Sequence, residues 1–120
     1  MKDNKLKKIT KIIKAISDES RIRIINLLKS KKEVCVCEIT EIINLSQPTI
    51  SSHLKKLQEA GIITFRKDGL WVNYYLSEEM DTEIKELIDL IIRFIEKDPI
   101  VKKDLLKAAH IDRIAICRKQ

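Results

Sequence analysis

The sequence predicts a mainly α-helical domain that carries one small antiparallel β-hairpin. Along most of the chain, apolar residues recur at the spacing of three and four that a half-buried helix requires. Between about residues 62 and 76 the spacing falls to two, and Asp68-Gly69 provides a tight-turn signal in the middle of that segment. A chain of 120 residues is long enough for one domain with a real core, so we predict a single domain over residues 1–120.

Composition and charge narrow the function classes. Hydrophobic residues make up 44% of the chain and charged residues 35%, which is typical of a globular protein rather than a disordered one. The net charge of +6 suits a polyanionic partner. Lysines interrupt the N-terminal apolar residues, which argues against a signal peptide, and no apolar run reaches the ~20 residues of a membrane span. The chain has three cysteines, an odd number that does not make a disulfide framework, which predicts free thiols in a reducing cytoplasm. The lack of a long apolar run predicts no membrane partner.

Two helices are predicted at the N-terminus. The first covers residues 4–16, where lysines alternate with apolar residues that leave a wide apolar stripe. Ser17 or Asp18 then caps a second helix, because a short side-chain oxygen accepts hydrogen bonds from the free backbone N–H groups of a first turn. This second helix is expected to fade at the polar run from Lys29 to Lys32.

Two further helices follow, separated by a short turn. The third is predicted to open at the cysteine pair Cys35 and Cys37 and to end near Asn44. Ser46 is the predicted N-cap of the fourth helix, with a proline in the first turn where a missing N–H costs nothing. Gly61 is its predicted stop, because glycine accepts the left-handed conformation that commonly ends a helix.

The rest of the chain is predicted to form a hairpin and two helices. The strands cover residues 62–66 and 71–76. A long helix follows from about residue 78 to residue 97, and Asp98-Pro99 breaks it. The last helix runs roughly from Ile100 to Cys117, so residues 98–120 form a C-terminal helical extension of the domain.

The order of two short helices and a charged hairpin predicts a winged helix-turn-helix. In that arrangement the third helix braces the fourth, which fits a major groove of DNA, and the hairpin is the wing. If Ile50, Leu54 and Leu57 point inward, five polar side chains lie on or beside the outer face, where they can pair with base edges: Gln47, Thr49, Ser51, Ser52 and His53. Four basic side chains are placed to reach phosphates: Lys55, Lys56, Arg66 and Lys67.

Four segments together resemble the ArsR/SmtB family of metal-sensing repressors: SDESRIRIINLLKS, EVCVCEIT, LSQPTISSHLKKLQEAGII and RKDGLWVNYYLS. The resemblance is close over about residues 16–76 and covers the flanking helices in outline. It implies a homodimeric DNA-binding protein, not an enzyme, that sits on a palindromic operator without metal and leaves when metal binds. It also implies that the first helix and the long late helix form the dimer interface. Half-sites would then lie about 34–36 Å apart, or a multiple of that spacing.

The resemblance also implies a role for the cysteine pair. In the arsenic-sensing branch of the family the corresponding C-x-C segment binds trivalent arsenic or antimony, so Cys35 and Cys37 are the predicted ligands and no organic cofactor is expected. Thiolates are soft ligands and prefer soft ions, which is consistent with this role. Many members carry a third cysteine three residues after the second, and here that position is Thr40. A water, a buffer thiol or Cys117 would have to complete the site.

Two cysteines on a regular helix cannot hold one ion when they are two residues apart. They point about 200° apart around the axis, whereas two sulfurs on one ion lie within roughly 4 Å of each other. Either Cys35 lies on the non-helical lead-in, or ion binding unwinds the first turn. Unwinding would shift the third helix against the fourth and offers a mechanism for release from DNA.

Other readings of the same residues stay open. The pair is either two small buried hydrophobic side chains, a site for cadmium or lead, or a thiol switch in which oxidation replaces metal. In the switch, Cys117 would join one of the pair, because a disulfide between Cys35 and Cys37 closes a strained small ring. An enzyme that uses Cys with His is disfavoured, since no acid–base cluster accompanies the cysteines. A protein-interaction module without a ligand is disfavoured by the basic wing.

Overall fold

A computed structural model of the chain describes residues 4–111. In chain order the elements are α1 (Lys5–Ile16), α2 (Glu19–Lys31), β1 (Val34–Cys35), α3 (Val36–Ile43), α4 (Gln47–Glu59), β2 (Ile63–Asp68), β3 (Trp71–Leu76), α5 (Thr82–Ile95) and α6 (Pro99–Ala109). The predicted mainly helical fold with a β-hairpin wing is confirmed. Helix α6 ends at Ala109, with His110 as its C-cap, so the predicted continuation of the last helix through residues 110 and 111 is wrong. Residues 112–120, with Cys117, lie outside the described residues.

Local chemistry sets most of the helix ends. The Asp18 side chain accepts a hydrogen bond from the backbone N–H of Arg21, and the Ser46 side chain accepts one from Thr49, so the predicted N-caps of α2 and α4 are confirmed. Gly61 has a φ of +78° directly after α4, and the backbone N–H of Ile62 reaches the Leu57 carbonyl at 3.1 Å. This is the left-handed helix stop that the sequence predicted.

The sheet differs from the prediction by one strand. The sequence predicted a two-stranded hairpin, but β1 adds a third strand, and the spatial order is β1-β3-β2 with both pairs antiparallel. The third helix also begins later than predicted, at Val36, because Cys35 is extended (φ −90°, ψ 166°) and is the N-cap of α3. Of the two explanations offered for the cysteine geometry, the structure places Cys35 on the non-helical lead-in.

Two other boundaries also differ. Helix α5 begins at Thr82 rather than near residue 78, because Asp81 takes an extended conformation and is the N-cap. Strand β2 covers residues 63–68 rather than 62–66, since its register with β3 continues to the pair Asp68 and Trp71. Both differences shift the ends of an element and leave its type unchanged.

The core lies between α2, α3, α4 and the base of the wing. The side chains that are at most 1% exposed include Ile24, Leu27, Leu28, Val34, Ile39, Ile42, Ile50, Leu54, Leu57 and Ile62. The three apolar residues that the sequence predicted to be the inner face of the fourth helix belong to this set. Their burial fixes which face of α4 turns outward.

Helix α6 packs against α2 and α3 through polar contacts as well as apolar ones. Asp104 is 2% exposed and accepts two hydrogen bonds from the Arg23 guanidinium, at 2.8 and 2.9 Å. The Lys107 ammonium donates to the Ile42 carbonyl at 3.3 Å, near the end of α3. The C-terminal extension is therefore held against the helices that brace α4.

Candidate DNA-binding surface and cysteine site

The outer face of α4 carries the polar residues that the sequence predicted to face DNA. Ile50, Leu54 and Leu57 are buried on the inner side. The polar side chains exposed on the other sides are Gln47, Thr49, Ser51, Ser52, Lys55 and Lys56. Hydroxyl, amide and ammonium groups on one helix of this length match what a major groove and its phosphates require. Their contacts with individual bases stay a prediction.

His53 is placed differently from the other predicted base-facing residues. It is half-buried, and its Nδ1 lies 3.1 Å from the Arg21 guanidinium, which identifies Nδ1 as the acceptor. Burial lowers the pKa of His53; Asp18 opposes this effect, and the charges of Arg21 and Lys56 add to it. Arg21 also donates to the Ala15 carbonyl at 2.6 Å. His53 therefore contributes to the packing of α4 against α1 and α2, in addition to the base contact that the sequence predicted for it.

The wing presents its predicted basic residues to solvent. Arg66 and Lys67 are exposed on β2, next to the turn at Gly69, whose φ is +66°. Arg66 forms an ion pair with Glu33, which lies directly before β1. The Arg66 guanidinium also lies 5.5 Å from the centre of the Tyr75 ring, within the range of a cation–π contact. The wing arginine is thus held by a neighbour of the cysteine segment.

Cys35 occupies a junction between α3 and the sheet. It forms a capping box with Glu38, in which the Cys35 backbone N–H donates to Glu38 Oε1 at 3.0 Å and the Cys35 sulfur accepts from the Glu38 backbone N–H. Cys35 is 3% exposed and Glu38 is equally buried. A change at this sulfur must therefore disturb the first turn of α3.

The second cysteine is more accessible than the first. Cys37 lies in the first turn of α3 and is half-buried. Thr40, at the position of the absent third cysteine, donates its hydroxyl to the Val36 carbonyl at 2.8 Å. Within residues 4–111, no three Cys, His, Asp or Glu side chains are arranged to hold a metal ion. The described part of the chain thus supplies two thiols at this position and no ready-made third ligand.

One row of residues crosses the sheet from the cysteine to the wing. Cys35 on β1 is opposite Asn73 on β3, and Asn73 is opposite Arg66 on β2. Asn73 is 4% exposed, so the middle of the row is buried. This row and the ion pair between Glu33 and Arg66 give the cysteine segment two direct connections to the wing.

A second group of contacts joins the cysteine segment to α6. The Lys31 ammonium lies 3.3 Å from Glu38 Oε2 and 3.3 Å from the Ala108 carbonyl. Because Glu38 also holds the Cys35 backbone, the end of α6 lies close to the cysteine pair. The Lys31 ammonium of α2 therefore connects Glu38 of α3 to the C-terminal helix.

Sequence analysis missed the polar residues that make these connections. Glu33, Glu38 and Asn73 were not singled out, and Arg21 was not paired with His53. The sequence carries a weak signal for two of them. Glu38 lies three residues after an N-cap position, as a capping box requires, and Asn73 interrupts a strand of large apolar and aromatic residues.

Several large apolar side chains remain exposed on the helices. On α1 and α5 they are Leu6, Ile13, Leu90 and Phe94, and on α6 they are Ile100 and Leu106. Leu6 and Ile13 belong to the apolar stripe that the sequence predicted for the first helix, and all four residues on α1 and α5 lie on the two helices that the resemblance assigns to a dimer interface. None of the helices in the described residues combines the length and the apolar character needed to cross a membrane.

Comparison with known proteins identifies the family of this chain. The family described as "Bacterial regulatory protein, arsR family" matches residues 18–64. An uncharacterised HTH-type transcriptional regulator of Methanocaldococcus jannaschii is 41% identical over 87 residues, covering 72% of this chain and 94% of that protein. The arsenic resistance transcriptional regulator ArsR1 of Pseudomonas putida is 38% identical over 93 residues, covering 74% and 73%. The cadmium resistance regulator CadC of Listeria innocua is 35% identical, covering 74% and 72%.

Solved structures agree with this assignment. HlyU from Vibrio cholerae is 33% identical with a TM-score of 0.68 and covers 81% of this chain and 100% of that one. A homodimeric winged helix-turn-helix DNA-binding domain from Mycobacterium bovis has a TM-score of 0.66 at 22% identity, covers 82% and 91%, and supports the fold alone. The comparisons confirm the resemblance and the winged helix-turn-helix fold that the sequence predicted.

Proposed function

Because the chain belongs to the ArsR family of bacterial regulatory proteins and is a transcriptional regulator rather than an enzyme, we propose that it is a metal-responsive repressor of operator DNA. A soft ion bound by Cys35 and Cys37 releases it from the DNA. The observation that carries this proposal is the position of Cys35, which caps α3 and also pairs with the wing strand β3.

The DNA contacts divide by chemistry. The N-terminal half of α4 enters the major groove, where Gln47, Thr49, Ser51 and Ser52 face base edges. His53 fixes the orientation of this helix through Arg21 and reaches the DNA from its edge. Lys55, Arg66 and Lys67 bind phosphates, which supply affinity but little sequence information.

The inducer is a thiophilic ion, and arsenic(III) or antimony(III) is the first choice. Two thiolates select soft ions over hard ones. Cadmium and lead are the alternatives, and cadmium is favoured among these because relatives at 35–38% identity are named cadmium resistance regulators.

Cys117 is the proposed third ligand, from within the same chain. The end of α6 lies beside Lys31 and Glu38, and Glu38 contacts Cys35. Cys117 lies nine residues after Ala108 in the sequence. A segment of that length can span up to about 30 Å, so chain length allows the thiol to reach the pair.

Release follows from the contacts that ion binding must break. One ion can join both sulfurs only if they lie within roughly 4 Å of each other. An ion that drew the Cys35 sulfur toward Cys37 would pull on the capping box with Glu38 and would move β1 and the first turn of α3. Because β1 pairs with β3 and Glu33 holds Arg66, this movement reaches the wing. By linkage, DNA weakens ion binding by the same factor.

The repressor acts as a homodimer. The exposed apolar side chains of α1 and α5 suit an interface with a second copy of the chain, because a monomer rarely leaves such a surface in water. Twofold symmetry then requires a palindromic operator.

The test begins with a 30-bp duplex obtained by in vitro selection from a random pool. Binding is measured by fluorescence anisotropy under reducing conditions, while arsenite, antimonite, cadmium, lead and zinc are titrated separately. We expect release at about one ion per chain by one soft ion and not by zinc. Cys35→Ser and Cys37→Ser are expected to bind DNA normally and to resist release. Cys117→Ser is expected to need a higher ion concentration.

Each outcome separates the proposals. Normal release from both Cys35→Ser and Cys37→Ser rejects the cysteine site. Release by peroxide without any ion assigns the thiols to a redox switch instead. An unchanged ion titration for Cys117→Ser rejects the third ligand and leaves the pair. Selection of no duplex at all rejects operator binding itself.

A further inference from the structure

Helix α1 has three different sides. Ile12 and Ala15 face the core, and Leu6 and Ile13, seven residues apart, form the exposed apolar side. On another side, spacings of four and three residues align three exposed lysines: Lys7, Lys11 and Lys14. The proposed dimer interface uses the apolar side, so the row of lysines is left facing solvent.

This row of lysines continues onto α4. An open groove of about 270 Å³ separates the two helices and is lined by Lys11, Lys14, Ala15, Arg21, Lys56 and Glu59. We name Lys7, Lys11, Lys14 and Lys56 the α1–α4 basic surface. Lys56 is on the third turn of α4, so the surface begins where the base-facing residues end.

The position of this surface relative to α4 is fixed by buried contacts. Arg21 is 9% exposed; it donates to the Ala15 carbonyl of α1 and contacts His53 of α4. One guanidinium therefore joins α1, α2 and α4 directly beneath the groove. When α4 enters a major groove, the lysines of α1 therefore lie at a fixed position relative to that groove.

The charges of the surface are available to a partner. Within residues 4–111, none of its four lysines forms an ion pair with a carboxylate, whereas the neighbouring Lys8 is bound to Asp81 at 3.1 Å. Glu59 is the acidic residue that lines the groove, so positive charge exceeds negative charge there. Unpaired lysines in a row match the regular spacing of phosphates along one DNA strand.

We propose that the α1–α4 basic surface binds the phosphates of double-stranded DNA beside the major groove that α4 occupies. This proposal rests on the proposed binding of operator DNA by α4. It extends the phosphate contacts beyond α4 and the wing to a third element, so α1 serves the dimer interface and the DNA at once. Phosphate contacts add affinity without sequence preference.

The test compares two double substitutions with the same change in charge. Lys11→Ala with Lys14→Ala alters the surface, and Lys102→Ala with Lys103→Ala removes two exposed lysines from α6 as the control. Affinity for the selected duplex is measured at several salt concentrations. The slope of log K against log salt should become shallower by about 0.9 for each phosphate that the variant no longer binds, hence by up to about 3.6 for a dimer.

The outcomes distinguish this proposal from the proposed binding of operator DNA by α4, on which it rests. A shallower slope for the α1 variant alone, with an unchanged ratio of specific to random-duplex affinity, supports the surface. Equal changes of slope in both variants would show that only net charge matters, and this would overturn the proposed surface. Operator binding by α4 would still stand. Helix content and melting temperature, measured for both variants, exclude a loss of fold as the cause. Wild-type protein that binds no duplex overturns both proposals.

Discussion

At the scale of single residues, His53 shows how a recognition helix is fixed in place. Its Nδ1 accepts from Arg21, a bond that only the neutral imidazole can make. Burial lowers the pKa of His53, so the folded protein binds this proton less readily than the unfolded chain does. Stability from this group is therefore complete above its unfolded pKa of about 6.5 and is lost as the pH falls through the lower, folded value.

We expect the pH dependence of the folding stability to become weaker when His53 is replaced by a residue that does not titrate. His53→Asn keeps an acceptor for Arg21, so its urea midpoint should fall less than that of the wild type between about pH 7.5 and about pH 5.5. His110 is exposed at the C-cap of α6, which makes His110→Asn the matched substitution control. Parallel curves for wild type and His53→Asn would contradict the assignment.

At this scale, the sequence predicted the interactions between residues that are close together in the chain and missed those between distant residues. The N-caps Asp18 and Ser46 and the stop at Gly61 were predicted because each acts within one turn of its own helix. The partner of His53 lies 32 residues away, and Glu33 and Arg66 are 33 residues apart. No spacing rule reaches that far, since such pairs exist only after the helices and the sheet have packed.

At the scale of elements, β1 gives the cysteine segment its connection to the wing. A two-residue strand is too short to produce a period, so the sequence could not predict it. Cys35 is extended because its backbone pairs with Asn73, which no pattern around residue 35 encodes. The hairpin itself was predicted, because its turn and its alternation lie within 15 residues of each other.

The ion pair between Glu33 and Arg66 restrains the wing in a way that can be measured. We expect Glu33→Gln to raise affinity for the selected duplex by about 0.5–1 kcal/mol per protomer, because Arg66 loses a competitor for phosphate. The reduction in affinity caused by saturating inducer should also become smaller. Glu86→Gln on the exposed face of α5 is the control for charge. Equal affinity gains from both substitutions would assign the effect to charge alone.

One buried ion pair contributes to the attachment of helix α6 to α2. Asp104→Ala leaves the Arg23 guanidinium without its carboxylate, and we expect a loss of about 2–3 kcal/mol in the free energy of unfolding. Asp89→Ala, which breaks an exposed pair with Lys29, should cost less than about 1 kcal/mol. Denaturant unfolding of Arg23→Ala, Asp104→Ala and the double variant completes the cycle. Additive effects would show that the pair contributes nothing.

At the scale of the whole molecule, the sequence also predicted which helices would pair two copies of the chain. The first and the long late helices are the two that the resemblance assigns to a dimer interface, and both carry exposed apolar side chains in the single chain. The stripe, the recognition helix and the wing are each local patterns. Their relative placement, with Arg21 beneath α1 and α4, required the folded structure.

Operator binding is expected to depend on the proposed dimer. Phe94 is 90% exposed on α5, and burying a phenylalanine in an interface contributes about 1.5–3 kcal/mol. In a twofold dimer this contribution counts twice, and Phe94→Glu would place a charge there instead. We expect sedimentation equilibrium to give the dimer mass for wild type and the monomer mass for Phe94→Glu. Leu70→Glu, at the fully exposed wing tip, should remain dimeric.

Loss of the dimer should weaken operator binding far more than any single contact does. Two half-sites held by one dimer are bound with a high effective concentration, so a monomer loses about 10²-fold or more in apparent affinity. Phe94 lies on α5 and not among the proposed DNA contacts, so this loss would measure the connection between the two copies. A Phe94→Glu variant that remained dimeric would show that α5 is not the interface. A monomeric variant that bound the palindrome as tightly as wild type would show that each copy acts alone.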